Sequence, residues 1–307
     1  MDKNSTILVT GAAGMLGKHL VAELQTSGYS KILTPPQAEL DLLNLKQVED
    51  YLSVKKPEYI FHLAGLVYGL GGNLDNQLNA IYINSQINLN LFYAVRTQKV
   101  KKIFFAGTVA SYPFPYHHLP LTEDQIFMGE PHQGEYGYAV AKSLGYHFLY
   151  LLKTEVGIDY CVGLFTNMFG EYDHFNAAKA HVIPSLIFKL HESIKNGTPF
   201  EVWGSGVETR DFLYAKDAAK AAVLLMSSGS GIINISTGVE TSIKQLVDLL
   251  VQVTNFKGKL VWNKNAPAGI PQRSVSNAKL QELKFGNFTS LKQGLKTTYE
   301  WFKANQE

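Results

Sequence analysis

The run Gly11-Ala-Ala-Gly14-Met-Leu-Gly17 follows the apolar stretch Ile7 to Thr10 without a gap and opens a helical segment. No other feature restricts the fold as much. In a strand-to-helix turn of this kind the glycines allow a tight turn, close approach of backbone to a pyrophosphate, and close packing of helix on strand. The pyrophosphate sits on the helix N-terminus, where free N–H groups and the positive dipole end favour an anion. Three glycines at such spacing also occur in ordinary turns, but the strand before and the helix after them supply the dinucleotide context. The loop residues Gly11, Ala13, Gly14, Met15, Leu16 and Gly17 are therefore the first candidate cofactor contacts.

The rest of the chain continues the rhythm. Strand-length apolar runs at Ser5 to Thr10, Lys31 to Leu33, Tyr59 to Leu63, Lys102 to Ala106, Asp159 to Phe165 and Gly231 to Ser236 lack polar alternation, as strands covered on both faces do. Helical stretches Met15 to Ser27, Leu45 to Ser53, Asp75 to Gln98 and Tyr138 to Val156 separate them. This order predicts an α/β fold, a Rossmann-type doubly wound parallel sheet. After Phe169 turn-rich segments appear, Trp203 to Gly206 and Ala266 to Pro271, with amphipathic helices near Ser242 to Val253 and Leu291 to Ala304. A smaller C-terminal α/β substrate domain is expected. The dinucleotide-binding domain takes residues 1–166 plus about 210–238, and the substrate domain about 167–209 plus 239–307.

Composition removes several function classes. Lys and Arg number 28 against 26 Asp and Glu, a net charge of +2, which offers no basic face for nucleic acid. The apolar stretch near residue 7 is too short for a secretory leader, and no window approaches a bilayer-spanning length. A soluble protein without membrane partners is expected. The single cysteine, Cys161, lies in an apolar run and fits a reducing cytoplasm. The nine histidines show no metal-ligand spacing; His117 and His118 are adjacent in a proline-flanked loop, and no metal is expected.

A second chemical signal is Tyr138-Ala-Val-Ala-Lys142. Four-residue spacing on a helix puts both side chains on one face. An ammonium beside a phenol favours the phenolate, so the pair can serve as a proton donor or acceptor near neutral pH. Thr108 stands after the fourth strand, at the carboxyl edge where ligands bind in such sheets. Alone it reads as a turn hydroxyl; with the glycine loop it becomes a third catalytic candidate.

These residues, together with Glu39 to Asn44, Thr166 to Gly170, His181 to Pro184, Val202 to Gly206, Arg210 to Leu213 and Thr237 to Val239, resemble the extended short-chain dehydrogenase/reductase family. Within it the resemblance is to the GDP-L-fucose synthases, from Ser5 to nearly the C-terminus. It implies that Asp41 and Leu42 flank adenine, Ala64 and Gly65 line the cofactor cleft, and Tyr138 and Lys142 face the nicotinamide ribose. It implies a GDP-sugar held by Asn167, His181, Val182, Trp203, Arg210 and Arg273. An arginine suits a pyrophosphate and a tryptophan suits a guanine face. For Arg210 alone the plain alternative is an ion pair with Asp211. The implied reaction is reduction of a C4 ketone, with Tyr138 as proton donor, Lys142 lowering the phenol's pKa and Thr108 bonding the carbonyl oxygen. The long helices, rich in Ile81, Ile83, Ile87, Leu89, Leu91 and Phe92 on the first, would pair across a two-fold axis as a homodimer.

The chain departs from that pattern in two places. Bifunctional fucose synthases pair a cysteine two positions beyond the catalytic hydroxyl with a histidine to invert C3 and C5; here the cysteine position is Ala110. A methyl group carries no proton, and the neighbouring Ser111 is an alcohol of very high pKa. His181 remains without that partner. The expectation is a C4 reductase of a GDP-4-keto-6-deoxy hexose or heptose that has lost the epimerase steps, with the bifunctional synthase as alternative. NADPH is expected from the reaction's direction and the family. The arginines that meet a 2′-phosphate in NADPH-specific relatives are replaced by Ala13 and by Thr34 to Gln37, and no acidic residue for NADH stands before Glu39. NADH stays open, with Lys18 and Lys31 as candidate phosphate contacts. A 4,6-dehydratase would need acidic residues at Val109 and Ala110; a sugar 4-epimerase would retain NAD; a dinucleotide sensor would not need Thr108, Tyr138 and Lys142 together.

Overall fold

A computed structural model describes residues 1–68, 72, 75–176, 180–264 and 270–306. Strands β1 (Ile7–Thr10), β2 (Ile32–Leu33), β3 (Tyr59–His62), β4 (Lys102–Thr108) and β5 (Asp159–Phe165) run parallel. Four short strands follow, β6 (Asn167–Phe169), β7 (Phe200–Trp203), β8 (Thr209–Arg210) and β9 (Phe212–Tyr214), before β10 (Gly231–Ile235) returns to the main sheet. Its order is β10-β5-β4-β3-β1-β2. The order reverses between β1 and β3, so the ligand crevice of such a sheet lies beyond their carboxyl ends.

Both faces of the sheet are dry, which explains the missing polar alternation. Along β4, Ile103 and Phe105 enter one core with Leu91, Phe92 and Tyr146, while Phe104 enters the opposite core with Leu20, Leu24 and Leu225. Helices α1 (Met15–Thr26) and α2 (Leu45–Lys55) are joined by α3 (Gln77–Val95) and α4 (Tyr136–Leu151). The last of these ends in a π-helical turn, Leu152–Val156, closed by Gly157.

A third core, around Phe169, Ile187, Phe200, Phe212, Leu246 and Phe302, belongs to the late part of the chain. It is built by α5 (Val182–Asn196), α7 (Ile243–Thr254) and α9 (Leu291–Ala304), while α6 (Ala215–Ser228) and α8 (Ala278–Glu282) pack on the main sheet. Helix α7 opens on a capping box, Ser242 and Gln245 bonding each other's backbone, as its sequence invites. The turn-rich stretch from Ala266 falls mostly outside the described residues. Among the described residues no helix is long and apolar enough to cross a membrane.

Candidate active site

The glycine loop fits a dinucleotide on its own geometry. Gly11 has φ +72°, and a Cβ there would lie 2.7 Å from the Ala64 nitrogen. A Cβ on Gly17 would lie 2.2 Å from the Gly11 carbonyl oxygen. Both positions therefore exclude side chains, one for the turn and one for helix-on-strand contact. Gly14 is the N-cap of α1, no side chain caps it, and the first turn carries no acid. That leaves amides and the dipole to an incoming pyrophosphate. Ala13 and Gly14 are exposed and Met15 is half-buried, whereas Leu16 turns into the core.

Around the adenine end the geometry is mixed. Asp41 Oδ1 accepts from the Leu43 amide at 3.0 Å, and the Leu42 side chain packs into the core with Val48 and Leu91. Lys18 does not turn toward this end; its ammonium sits 4.3 Å from the Tyr172 ring centroid.

Beneath the cleft runs a buried polar chain. Thr10 Oγ1 lies 2.8 Å from His62 Nδ1, His62 Nε2 lies 3.1 Å from Asn88 Oδ1, and the Asn88 amide donates to the Ala141 carbonyl at 3.2 Å. Burial and the nearby Lys142 charge push the His62 imidazole down to about 3, so it is neutral and structural. The chain ties β1 and β3 to the residue before Lys142.

Lys142 is buried on α4, and an ideal Cβ at Gly65 would come 3.7 Å from its Nζ. The ammonium lies 4.4 Å from the Phe105 ring centroid and 5.7 Å from that of Tyr138. Among the described residues none accepts a hydrogen bond from it, and burial brings it down to about 7. A buried amine without an acceptor, facing the cofactor cleft, fits ribose hydroxyls. The depressed phenol expected from the Tyr/Lys spacing is reversed here: burial, then Tyr146 and Glu135, raise Tyr138 well above the usual tyrosine range. The phenol is therefore protonated at neutral pH in the ligand-free protein.

Thr108 ends β4, and helix α4 packs on the single turn, Val109–Ser111, that follows it. Its Oγ1 accepts from the Ala110 amide at 3.1 Å, while its own amide donates to Tyr146 Oη at 3.1 Å. The hydroxyl proton remains free to donate to a carbonyl oxygen. Ala110 is 4% exposed, and Ser111, 2% exposed, donates to the Ala139 carbonyl at 3.3 Å and lies 3.2 Å from Tyr146 Oη. The serine hydroxyl is thus consumed within the core.

The nucleotide-sugar candidates all follow β5 in the chain. Asn167 bonds the Asp211 backbone carbonyl through its side chain at 3.1 Å. Asp211 itself is taken by Thr166, Ser236, Thr237 and Gly238, not by Arg210, so the ion-pair alternative for Arg210 is excluded. Arg210 donates to the Thr209 carbonyl at 2.6 Å, and burial followed by the Arg273 charge lowers its pKa. Trp203, 49% exposed, has Lys189 Nζ 4.1 Å from its ring centroid. His181 is the exposed N-cap of α5, Val182 the first residue of that helix. Near His181 lies Asp173, whose Oδ2 is buried with no hydrogen-bond partner among the described residues. Arg273, 6% exposed, donates Nη2 to Glu135 at 2.5 Å and Nε to Tyr116 Oη at 2.9 Å.

The NAD dependent epimerase/dehydratase family matches residues 7–236, three quarters of the chain. The chain belongs to that family. The extended short-chain dehydrogenase/reductase resemblance read from the motifs, and with it the Rossmann fold, is therefore correct. As a member it is an oxidoreductase of nucleotide sugars. It is 33% identical to GDP-L-fucose synthase 1 of Arabidopsis thaliana over 307 residues, 99% of this chain and 95% of that one. A GDP-6-OMe-4-keto-L-xylo-heptose reductase from C. jejuni superposes with TM-score 0.92 at 28% identity, covering 100% of this chain and 99% of the other. The GDP-mannoheptose C4 reductase of Campylobacter jejuni, solved with NADP bound, superposes with TM-score 0.89 at 28% identity, covering 99% of both.

Several residues of this family member escaped the sequence reading: Tyr116, Glu135, Tyr146, Asp173 and Lys189. Glu135 had a signal in its place three residues before Tyr138; the others become visible only when distant segments meet.

Proposed function

We propose that the protein reduces the C4 carbonyl of a GDP-4-keto-6-deoxy sugar, hexose or heptose, with NADPH, and leaves C3 and C5 as it finds them. The observation that supports the reading most is that α4, which carries Tyr138 and Lys142 with the Lys142 Nζ 5.7 Å from the Tyr138 ring centroid, packs on the turn that follows Thr108. Membership of a family whose relatives include GDP-heptose C4 reductases supports the substrate class. The cofactor is NADPH, and an NADP-bound relative supports this. When bound, the dinucleotide supplies the hydride that becomes the new C4 hydrogen.

The chain's own residues do the rest. Thr108 donates to the ketone oxygen, where negative charge grows during attack, and so stabilises the transition state more than the ground state. Tyr138 passes its proton to that oxygen as the alcohol forms, and Lys142 steadies the phenolate left behind. Trp203 stacks on guanine with Lys189 on its ring, Arg210 and Arg273 face the diphosphate, and Asn167, Val182 and His181 contact the sugar side. The buried methyl of Ala110 and the consumed hydroxyl of Ser111 support the absence of the second acid/base that inversion at C3 and C5 needs. The two-domain division, 1–166 with 210–238 against 167–209 with 239–307, belongs to this reading, as does a cytoplasmic setting. The test is NADPH oxidation with GDP-4-keto-6-deoxymannose and its heptose counterpart, offered separately. Consumption with either, and none with the 4-hydroxy sugars, is expected; no consumption with both rejects the reading.

The reading extends to a homodimer. Exposed apolar side chains gather on α3 and α4, with Leu78 84% and Tyr82 64% exposed, beside Leu144, Tyr150 and Leu151. Such a face costs free energy in water unless covered. Sedimentation at micromolar concentration is expected to give twice the chain mass of 34.1 kDa; a monomer contradicts it.

A further inference from the structure

Arg273 is an unusual ligand for a diphosphate because it already has an anion. It lies on an extended stretch pinned on both sides: Thr209 N–H donates to the Pro271 carbonyl, Leu121 N–H to Ser274, and Ser276 N–H to Leu121. Its guanidinium is nearly closed off from water, with Nη2 on Glu135 and Nε on Tyr116 Oη. A guanidinium has five donors, so three remain. Arg210 is close enough that the two positive charges oppose each other. Two largely desolvated cations side by side form a place for an anion, and Glu135 supplies only one carboxylate to it.

We infer that Glu135 is a positioning residue that serves as a stand-in anion: its carboxylate neutralises Arg273 in the free enzyme and is in direct competition with the substrate's diphosphate for that guanidinium. The inference rests on the proposed GDP-sugar reading and deepens it. Glu135 immediately precedes α4 and lies three residues from Tyr138, so the pair also ties the start of the catalytic helix to the substrate lobe. Burial pushes the Glu135 carboxyl up, but Arg273, His132 and Arg210 outweigh it and keep the group ionised at neutral pH. A buried arginine with its carboxylate removed holds an uncompensated charge, which a bound diphosphate then relieves. Removing the competitor therefore favours ligand binding even while it weakens the free protein. A merely structural role predicts the opposite, since a loosened site binds less well.

The experiment compares wild type with E135Q, which keeps the shape and drops the charge. GDP is the probe, by calorimetry, and NADPH affinity shows that the variant is folded. GDP is expected to bind about fivefold tighter to E135Q, with KM for the GDP-sugar falling in step, because a charge-assisted competitor is gone. The unfolding temperature of free E135Q is expected to fall, and added GDP to raise it by more than in wild type. Unchanged or weaker GDP binding overturns the inference. If E135Q does not fold, E135D keeps the charge on a shorter arm; GDP is then expected to bind about twofold tighter, and unchanged or weaker binding again overturns it. Wild-type turnover of a GDP-4-keto-6-deoxy sugar decides the reaction separately, so a failure here leaves that reading standing.

Discussion

Replacing Tyr138 with Phe is expected to lower kcat about a thousandfold while NADPH and GDP still bind within about threefold of wild type. The proposed reading makes the phenol the proton donor. Burial, Tyr146 and Glu135 keep its proton in place at neutral pH, and its helix packs on the turn beside Thr108. Losing one positioned proton donor removes a factor of about a hundred to ten thousand, without removing substrate contacts made elsewhere. The substitution deletes one oxygen and leaves the ring, so packing near Phe105 and Lys142 survives. Transient kinetics separates the outcomes. Retained hydride transfer in Y138F removes the phenol from the mechanism, and lost NADPH binding assigns it to the cofactor instead.

Lys142→Met is expected to abolish turnover and to stabilise the free protein. In the free structure the ammonium is desolvated and its pKa falls from 10.5 to about 7. At pH below 7 the amine is charged in both folded and unfolded chains, so its burial cost is fully present. As pH rises from 7 toward 10.5 the folded chain has shed the proton while the unfolded chain keeps it, and the cost fades. Stability of the wild type from this group therefore rises with pH through that window. About three and a half pKa units correspond to a gain in K142M of about 5 kcal/mol near pH 6.5, and about 2 kcal/mol near pH 9. Chemical denaturation at the two pH values measures this. Equal gains at both, or a loss, contradict a buried amine without an acceptor. The expected pattern is that of a side chain kept for function against stability.

What was legible in the chain is what chemistry writes into neighbouring positions. The glycine loop and the Tyr138/Lys142 pair are local spacings, and β4 reads as doubly buried because Ile103, Phe104 and Phe105 need no polar partner on either face. The parallel pairing of the sheet follows from the alternation of strands and helices. Contacts between distant segments were not legible. Glu135 and Arg273 are 138 positions apart, and nothing near Arg273 announces a carboxylate. The plain alternative for Arg210, an ion pair with its neighbour Asp211, fails for the same reason: the Asp211 oxygens meet Thr166 and Ser236 instead. The direction of the Tyr138 shift also depended on burial, which no spacing encodes.

The central claim concerns which carbon changes. Incubating the protein with NADPH and GDP-4-keto-6-deoxymannose in deuterated water, and reading the product by NMR, addresses it in one measurement. The account predicts an alcohol whose C4 hydrogen is protium delivered by the nicotinamide, with C3 and C5 free of enzyme-dependent deuterium. Deuterium at C3 or C5 shows that inversion persists without a thiol at Ala110, and the absence of any C4 alcohol removes the reductase itself.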